Sequence, residues 1–153
     1  MSGGGFAREL HLLTFALDRE EYGVPVGQVR EVIRVSEITR VPHAPAHVRG
    51  VTNLRGRILP VVEIRTRLGL QPAAITGRSR IVVVEVHDRV LGILVDAVLQ
   101  VTKVPLESVT PPPAEVVSPG SDFIGGVARA SSRLVMLLEL EKALPPPDTE
   151  LSP

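Results

Sequence analysis

The chain has 153 residues, enough for one ordinary domain or two small ones packed together. Its 17 Lys and Arg are cancelled by 17 Asp and Glu, which removes the global field that would draw in a polyanion and argues against nucleic acid or an anionic membrane as the main partner. Cysteine is absent, which excludes disulfides, thiolate catalysis and cysteine-held zinc or iron–sulfur.

Aromatic residues make up only 3%, so the core must be built from Val, Ile and Leu, a composition that leans toward sheet. After a glycine-rich start, Leu10 to Leu17 reads as a strand buried on much of both faces. Residues 18–21 are a polar turn, and Tyr22 opens a second strand whose Pro25 marks an edge or an end. Val29, Val32 and Ile33 are spaced i, i+3, i+4, which predicts one short helical turn over residues 28–35 leading into a strand. Residues 41–50, with Pro42 and Pro45, read as a bent connector. Two strand pieces flank Arg55-Gly56-Arg57, with Ile58, Leu59, Val61, Val62 and Ile64 expected to be largely buried. Residues 63–68 are expected to turn helical, with Gly69 as a left-handed stop.

Residues 71–79 form a loop whose composition marks the best internal boundary. Beyond it, residues 81–86 and 90–95 flank a polar turn and predict a hairpin, and strand character continues from 98 to 104. Residues 110–120, rich in proline, read as a stiff surface loop. A last hairpin spans 123–140, with a short helix over 139–144. Short strands with turn punctuation predict an all-β barrel or sandwich. Divided near 76–80, the halves hold about five strand candidates each, as two small barrels sharing a face would. No strong repeat joins the halves. The expected layout is a tail over 1–9, one folded unit over 10–144 and a disordered tail over 145–153.

Residues with chemistry are scattered. His43 and His47 have metal-ligand spacing for a helix, but Pro42 and Pro45 interrupt that helix and no acidic third ligand lies nearby. His11 and His87 have no nucleophile at a recognisable spacing. Gly125-Gly126 is followed by no Lys-Ser or Lys-Thr, so it is no phosphate loop. Glu63, Glu85 and Asp96 sit beside or within apolar strands, where hydrogen-bonded strand positions explain them more cheaply than an acid–base pair. No catalytic residue, cofactor or metal is therefore expected. Arg49, Arg55, Arg57, Arg65 and Arg67 leave three uses open: a nucleic-acid face on a small barrel, ordinary surface arginines, or a protein-binding hot spot. The near absence of stacking aromatics weakens the first.

The stretch Gly50-Val51-Thr52-Asn53-Leu54-Arg55-Gly56-Arg57-Ile58-Leu59-Pro60-Val61-Val62-Glu63-Ile64 resembles the signature of CheW-like domains. Tyr22-Gly23-Val24, Val29-Arg30-Glu31-Val32-Ile33, Val90-Leu91-Gly92-Ile93-Leu94-Val95-Asp96, Ile124-Gly125-Gly126 and residues 134–142 resemble its flanking segments. The resemblance implies two five-stranded SH3-like barrels with short helices. It also implies a non-catalytic, stand-alone adaptor coupling chemoreceptors to a CheA-type histidine kinase. By the same resemblance, Glu31, Val32, Asn53, Arg55, Val98 and Val101 fall at receptor-binding positions, and Leu13, Val26 and Val29 at kinase-binding ones. Arg55 could instead hold its own loop, and the valines could serve the core. The partners implied are the kinase and the cytoplasmic tip of a methyl-accepting chemoreceptor, with no nucleic acid and no membrane insertion, for a protein monomeric in isolation. Its place is then the cytoplasm, recruited to receptor arrays. An adaptor of another chemosensory-like pathway and a nucleic-acid-binding small barrel are the alternatives.

Overall fold

The computed structural model describes residues 8–72, 74–112 and 121–144. Both chain ends and most of the proline-rich loop lie outside these residues. Glu9, expected in the tail, begins the first strand.

Strands β1 (Glu9–Leu17) and β2 (Glu20–Pro25) form a hairpin, followed by a 3-10 turn at Val26–Gln28 and β3 (Val29–Arg34). Strands β4 (Val48–Leu54) and β5 (Arg57–Glu63) lead into helix α1 (Ile64–Arg67). Then come β6 (Arg80–Val86), β7 (Arg89–Val95) and β8 (Ala97–Pro105). Strands β9 (Ile124–Ala130) and β10 (Arg133–Leu138) end in helix α2 (Leu140–Ala143). The strands make two five-stranded sheets, ordered β3-β6-β7-β5-β4 and β8-β1-β2-β10-β9. The all-β, two-barrel expectation therefore holds.

Each sheet closes on itself. Beyond β3 the chain runs to Thr39, which exchanges two 2.8 Å backbone hydrogen bonds with Val51 on β4, at the opposite edge of the sheet. Beyond β8 it runs to Thr110, which does the same with Val127 on β9, at 3.0 and 2.7 Å. Closure satisfies edge groups that would otherwise template aggregation. Gly50 and Gly126 stand beside these bridges.

The two barrels are the same unit, permuted. β3, β4, β5, α1 and the hairpin β6–β7 correspond to β8, β9, β10, α2 and the hairpin β1–β2. Each unit pairs its fifth-element strand in parallel: β7 with β5, and β2 with β10. A sequence repeat follows, at one constant spacing over β4, β5 and the helix. Gly50-Val51 matches Gly126-Val127, and Arg57-Ile58-Leu59-Pro60-Val61-Val62-Glu63-Ile64 matches Arg133-Leu134-Val135-Met136-Leu137-Leu138-Glu139-Leu140. The loop at 76–80 is consequently not the division between the barrels. It lies inside the first barrel, because long-range pairing gives that barrel β6 and β7 and gives β1 and β2 to the second.

Alternation along each strand explains the unbroken apolar runs. Leu13, Phe15 and Leu17 of β1 join Val82, Val84 and Val86 of β6 in one core shared by both barrels. Leu12 faces the interior of its own barrel, as Ile81 and Val83 face theirs. A strand buried on both faces has no polar phase to show. Gly23 and Gly92 occupy matching interior positions. A Cβ on Gly92 would lie 2.6 Å from Ile81 Cγ2, and one on Gly23 would lie 3.0 Å from Val135 Cγ1.

The helical turn expected within 28–35 is a 3-10 turn that already ends at Gln28, and Val29–Arg34 is strand. A β-bulge between Val29 and Glu31 shifts the register. Val29 packs on the shared core, Ile33 on the barrel interior, and Val32 points outward. The bulge imitates helical spacing. Gly69 does terminate α1 with φ 79°, as expected.

Candidate functional site

The turn between β4 and β5 is two residues long, and both have positive φ, 50° for Arg55 and 85° for Gly56. This is the twist that suits a tight hairpin. Asn53 Oδ1 accepts the Gly56 N–H at 2.8 Å and fixes the turn. The Arg55 guanidinium then reaches β3 and meets Glu31 through both nitrogens, Nη1 donating to Oε1 at 3.2 Å and Nη2 to Oε2. Those hydrogen bonds hold the Glu31 carboxyl below its ordinary value. Arg55 stays 69% exposed, so the pair organises a surface more than it stabilises a fold.

Beside the pair lies a groove at the mouth of the first barrel, walled by Leu54, Arg57, Ile58 and Val90. Ile58, expected to be buried, is 69% exposed, because β5 turns Leu59 and Val61 inward instead. Strand parity counted from that buried pair would have placed it outside. A large exposed aliphatic side chain next to a fork-paired arginine is what a protein-binding surface presents.

The equivalent mouth of the second barrel is built differently. There Arg133 donates to Glu21 at 2.9 Å, and Thr14 Oγ1 donates to the Gln100 carbonyl at 3.3 Å. Gln100, Arg133, Glu21 and Thr14 stand where the first barrel has Glu31, Arg57, Val90 and Val83. Burial pushes the Glu21 carboxyl up, but the hydrogen-bonded Arg133 and the polar groups around it outweigh this and leave the group below its ordinary value. A depressed carboxyl contributes stability above its unfolded pKa and loses it as pH falls through the folded one. The expected result is that wild type is more stable than Glu21→Gln at neutral pH, and that the gap closes below about pH 4. Thermal melts from pH 7 to 3 read this directly, and a pH-independent gap would contradict it.

The remaining positions divide by burial. Asn53, Arg55 and Glu31 come together, and Val32 is exposed on the same strand as Glu31. Val98 and Val101 lie on β8 of the other barrel, at the positions matching Val29 and Val32, and Val101 is 63% exposed. Val29 and Val98 both pack on the shared core. Leu13 is buried in that core, while Val26 is partly exposed in the 3-10 turn.

Four of the five clustered arginines are held within the chain, and Arg57 lines the groove described above. Arg49 binds Glu63, Arg55 binds Glu31, and Arg65 is buried against Asp18 and Asp96. Arg67 donates to the Ala143 carbonyl at 2.8 Å and lies over the Phe123 ring at 4.8 Å. Cations committed internally have little left for phosphates.

Residues 11–146 match the family described as CheW-like domain. The chain belongs to the CheW-like family. It is 37% identical to the probable chemotaxis protein CheW of Rhizobium etli over 85% of this chain and 84% of that protein. It is 37% identical to the chemotaxis protein CheW of Rhizobium meliloti, over 91% and 90%. Its fold is similar to that of the scaffolding protein TtCheW of Thermoanaerobacter tengcongensis, with a TM-score of 0.84 and 30% identity, covering 94% of this chain and 98% of that one. As a CheW-like protein it is a non-catalytic scaffold of chemotaxis-type signalling. No helix among the described residues is long and apolar enough to cross a membrane.

Proposed function

We propose that this CheW-like protein works in the cytoplasm, as a monomer when alone, and couples a methyl-accepting chemoreceptor tip to a CheA-type histidine kinase. The observation that carries the receptor half is the Arg55–Glu31 fork beside exposed Ile58 and Val32. The receptor-binding set is then Glu31, Arg55 and Val32, with Asn53 holding the turn and Val98 and Val101 contributing from β8. The kinase would meet Val26 and the outer side of Val29, with Leu13 supporting them from the core. Two faces on one small protein raise the local concentration of kinase at the receptor. Receptor state passes on only through contacts that differ in free energy between kinase states.

A pull-down with kinase and receptor tip, using wild type and Arg55→Glu, tests this. Wild type is expected to retain both. Arg55→Glu sets a second carboxylate against Glu31 and is expected to lose the receptor, keep the kinase and keep its far-ultraviolet spectrum. Wild type that retains neither, where a control adaptor retains both, ends the proposal. Loss of both partners by a folded Arg55→Glu would deny the separation of faces.

A further inference from the structure

The two barrels carry the same carboxylate at the head of the same short helix, Glu63 before α1 and Glu139 before α2. In the first barrel Glu63 is 4% exposed, and both its oxygens accept from Arg49 Nη1, at 3.0 and 2.8 Å. Arg49 directly precedes Gly50, the glycine beside the closing bridge. In the second barrel the residue preceding the matching Gly126 is Gly125. A Cβ built on Gly125 would fall 2.6 Å from Glu139 Oε1, so the carboxylate lies over the glycine. The same carboxylate is present in both units, and its arginine in only one.

Glu139 is left with Lys142 at 3.5 Å, whose side chain is 61% exposed. Such a pair is weak and easily exchanged. All 17 Lys and Arg of the chain lie among the described residues, and Lys142 is the one paired with Glu139 there. The residues outside the description hold no Lys or Arg side chain that could replace Arg49. The groove around Glu139 has apolar walls from Leu10, Pro25 and Leu137 and a second carboxylate, Glu141, which accepts from Gln28 at 2.8 Å. Apolar walls for a methylene stem and carboxylates for a planar fork suit an arginine side chain.

We infer that this groove receives an arginine of the kinase, in the place that Arg49 occupies in the first barrel. The inference rests on the kinase-coupling role proposed above. Pro25 and Gln28 flank Val26, the exposed residue of the proposed kinase face, so the groove continues that face. The first barrel supplies the template: what this chain does for Glu63 with its own side chain, the kinase does for Glu139.

Two variants test it from opposite sides. Gly125→Arg restores the chain's own arginine, and the Glu139 side chain from Cγ outward must swing aside to admit it, since a Cβ there would lie 2.7 Å from Glu139 Cγ. Glu139→Gln removes the charge. Binding of a CheA-type kinase and of a receptor tip is measured by calorimetry for wild type and both variants, with thermal melts as a check on folding. Both variants are expected to weaken kinase binding by at least ~10-fold and to leave receptor binding within about 2-fold. If Gly125→Arg does not fold, Glu139→Gln decides alone. Unchanged kinase affinity in folded variants overturns the inference and leaves the adaptor role standing. Loss of the receptor instead of the kinase overturns the kinase as occupant. Wild type that binds neither partner overturns the adaptor role itself, and the inference with it.

Discussion

Gly50→Ala is expected to destabilise the protein by roughly 3 kcal/mol, the sum of backbone strain and two broken closing hydrogen bonds. Gly50 has φ 151°, and a Cβ there would lie 2.2 Å from the Thr39 carbonyl oxygen and 2.8 Å from its carbon. Both are backbone atoms, so no rotamer change relieves the clash. The chain must move Thr39 away from Val51 and give up the two 2.8 Å bonds that close the first barrel. Gly126→Ala is expected to cost less, because the contacts are 2.8 Å to a Val109 methyl and 3.1 Å to the Thr110 carbonyl oxygen. Gly56→Ala meets nothing within 4 Å and pays only for its φ of 85°, about 1 kcal/mol. Urea unfolding of the three variants should rank them in that order. Equal midpoints for Gly50→Ala and Gly56→Ala would show that barrel closure does not depend on Gly50.

That ranking depends on a duplication which reading along the chain does not reveal. The strands themselves were legible, since β6 and β7 are short apolar runs around a polar turn, and a strand buried on both faces must read that way. Which barrel each strand joins was not legible. Pairing of β1 with β8 and of β5 with β7 is decided by packing between segments far apart in sequence. The repeat was hidden for a related reason. In chain order β1–β5 and α1 match β6–β10 and α2, but the spacing changes between β3 and β4, from that of Gly23 and Gly92 to that of Gly50 and Gly126, and few identities survive. Its trace survives at Arg57-Ile58 and Arg133-Leu134 and at Glu63 and Glu139. At the site, the turn Asn53-Leu54-Arg55-Gly56 was readable because few sequences satisfy two positive φ values with a side-chain cap. The roles of Leu13, Val29 and Ile58 were not, because an aliphatic residue looks the same in a core and on a docking surface.

Arg65→Leu is expected to cost about 3 kcal/mol, at the low end for breaking a buried ion pair. Arg65 is 6% exposed and uses its whole fork. Nη2 meets Asp18 at 2.8 Å, Nη1 donates to Asp96 at 2.8 Å, and Nε donates to the Gln71 carbonyl at 2.6 Å. Asp96 also accepts the Asp18 backbone N–H at 2.8 Å. Asp18 belongs to the β1–β2 turn of the second barrel, Arg65 to α1 of the first, and Asp96 to the crossing between β7 and β8. One guanidinium therefore joins both barrels at the point where the chain passes between them. Leucine leaves the Asp96 charge facing an apolar wall. Asp18 is about half exposed and recovers its hydration, which keeps the cost from being larger. Adding Asp96→Asn to Arg65→Leu should therefore restore part of the loss, with a coupling of about 1–2 kcal/mol in a double-mutant cycle. Lys142→Ala, which removes an exposed pair, should stay within about 0.5 kcal/mol of wild type. An Arg65→Leu protein as stable as Lys142→Ala would mean that the shared apolar core alone sets the angle between the barrels. A large loss that Asp96→Asn relieves would place part of that control in a single buried arginine.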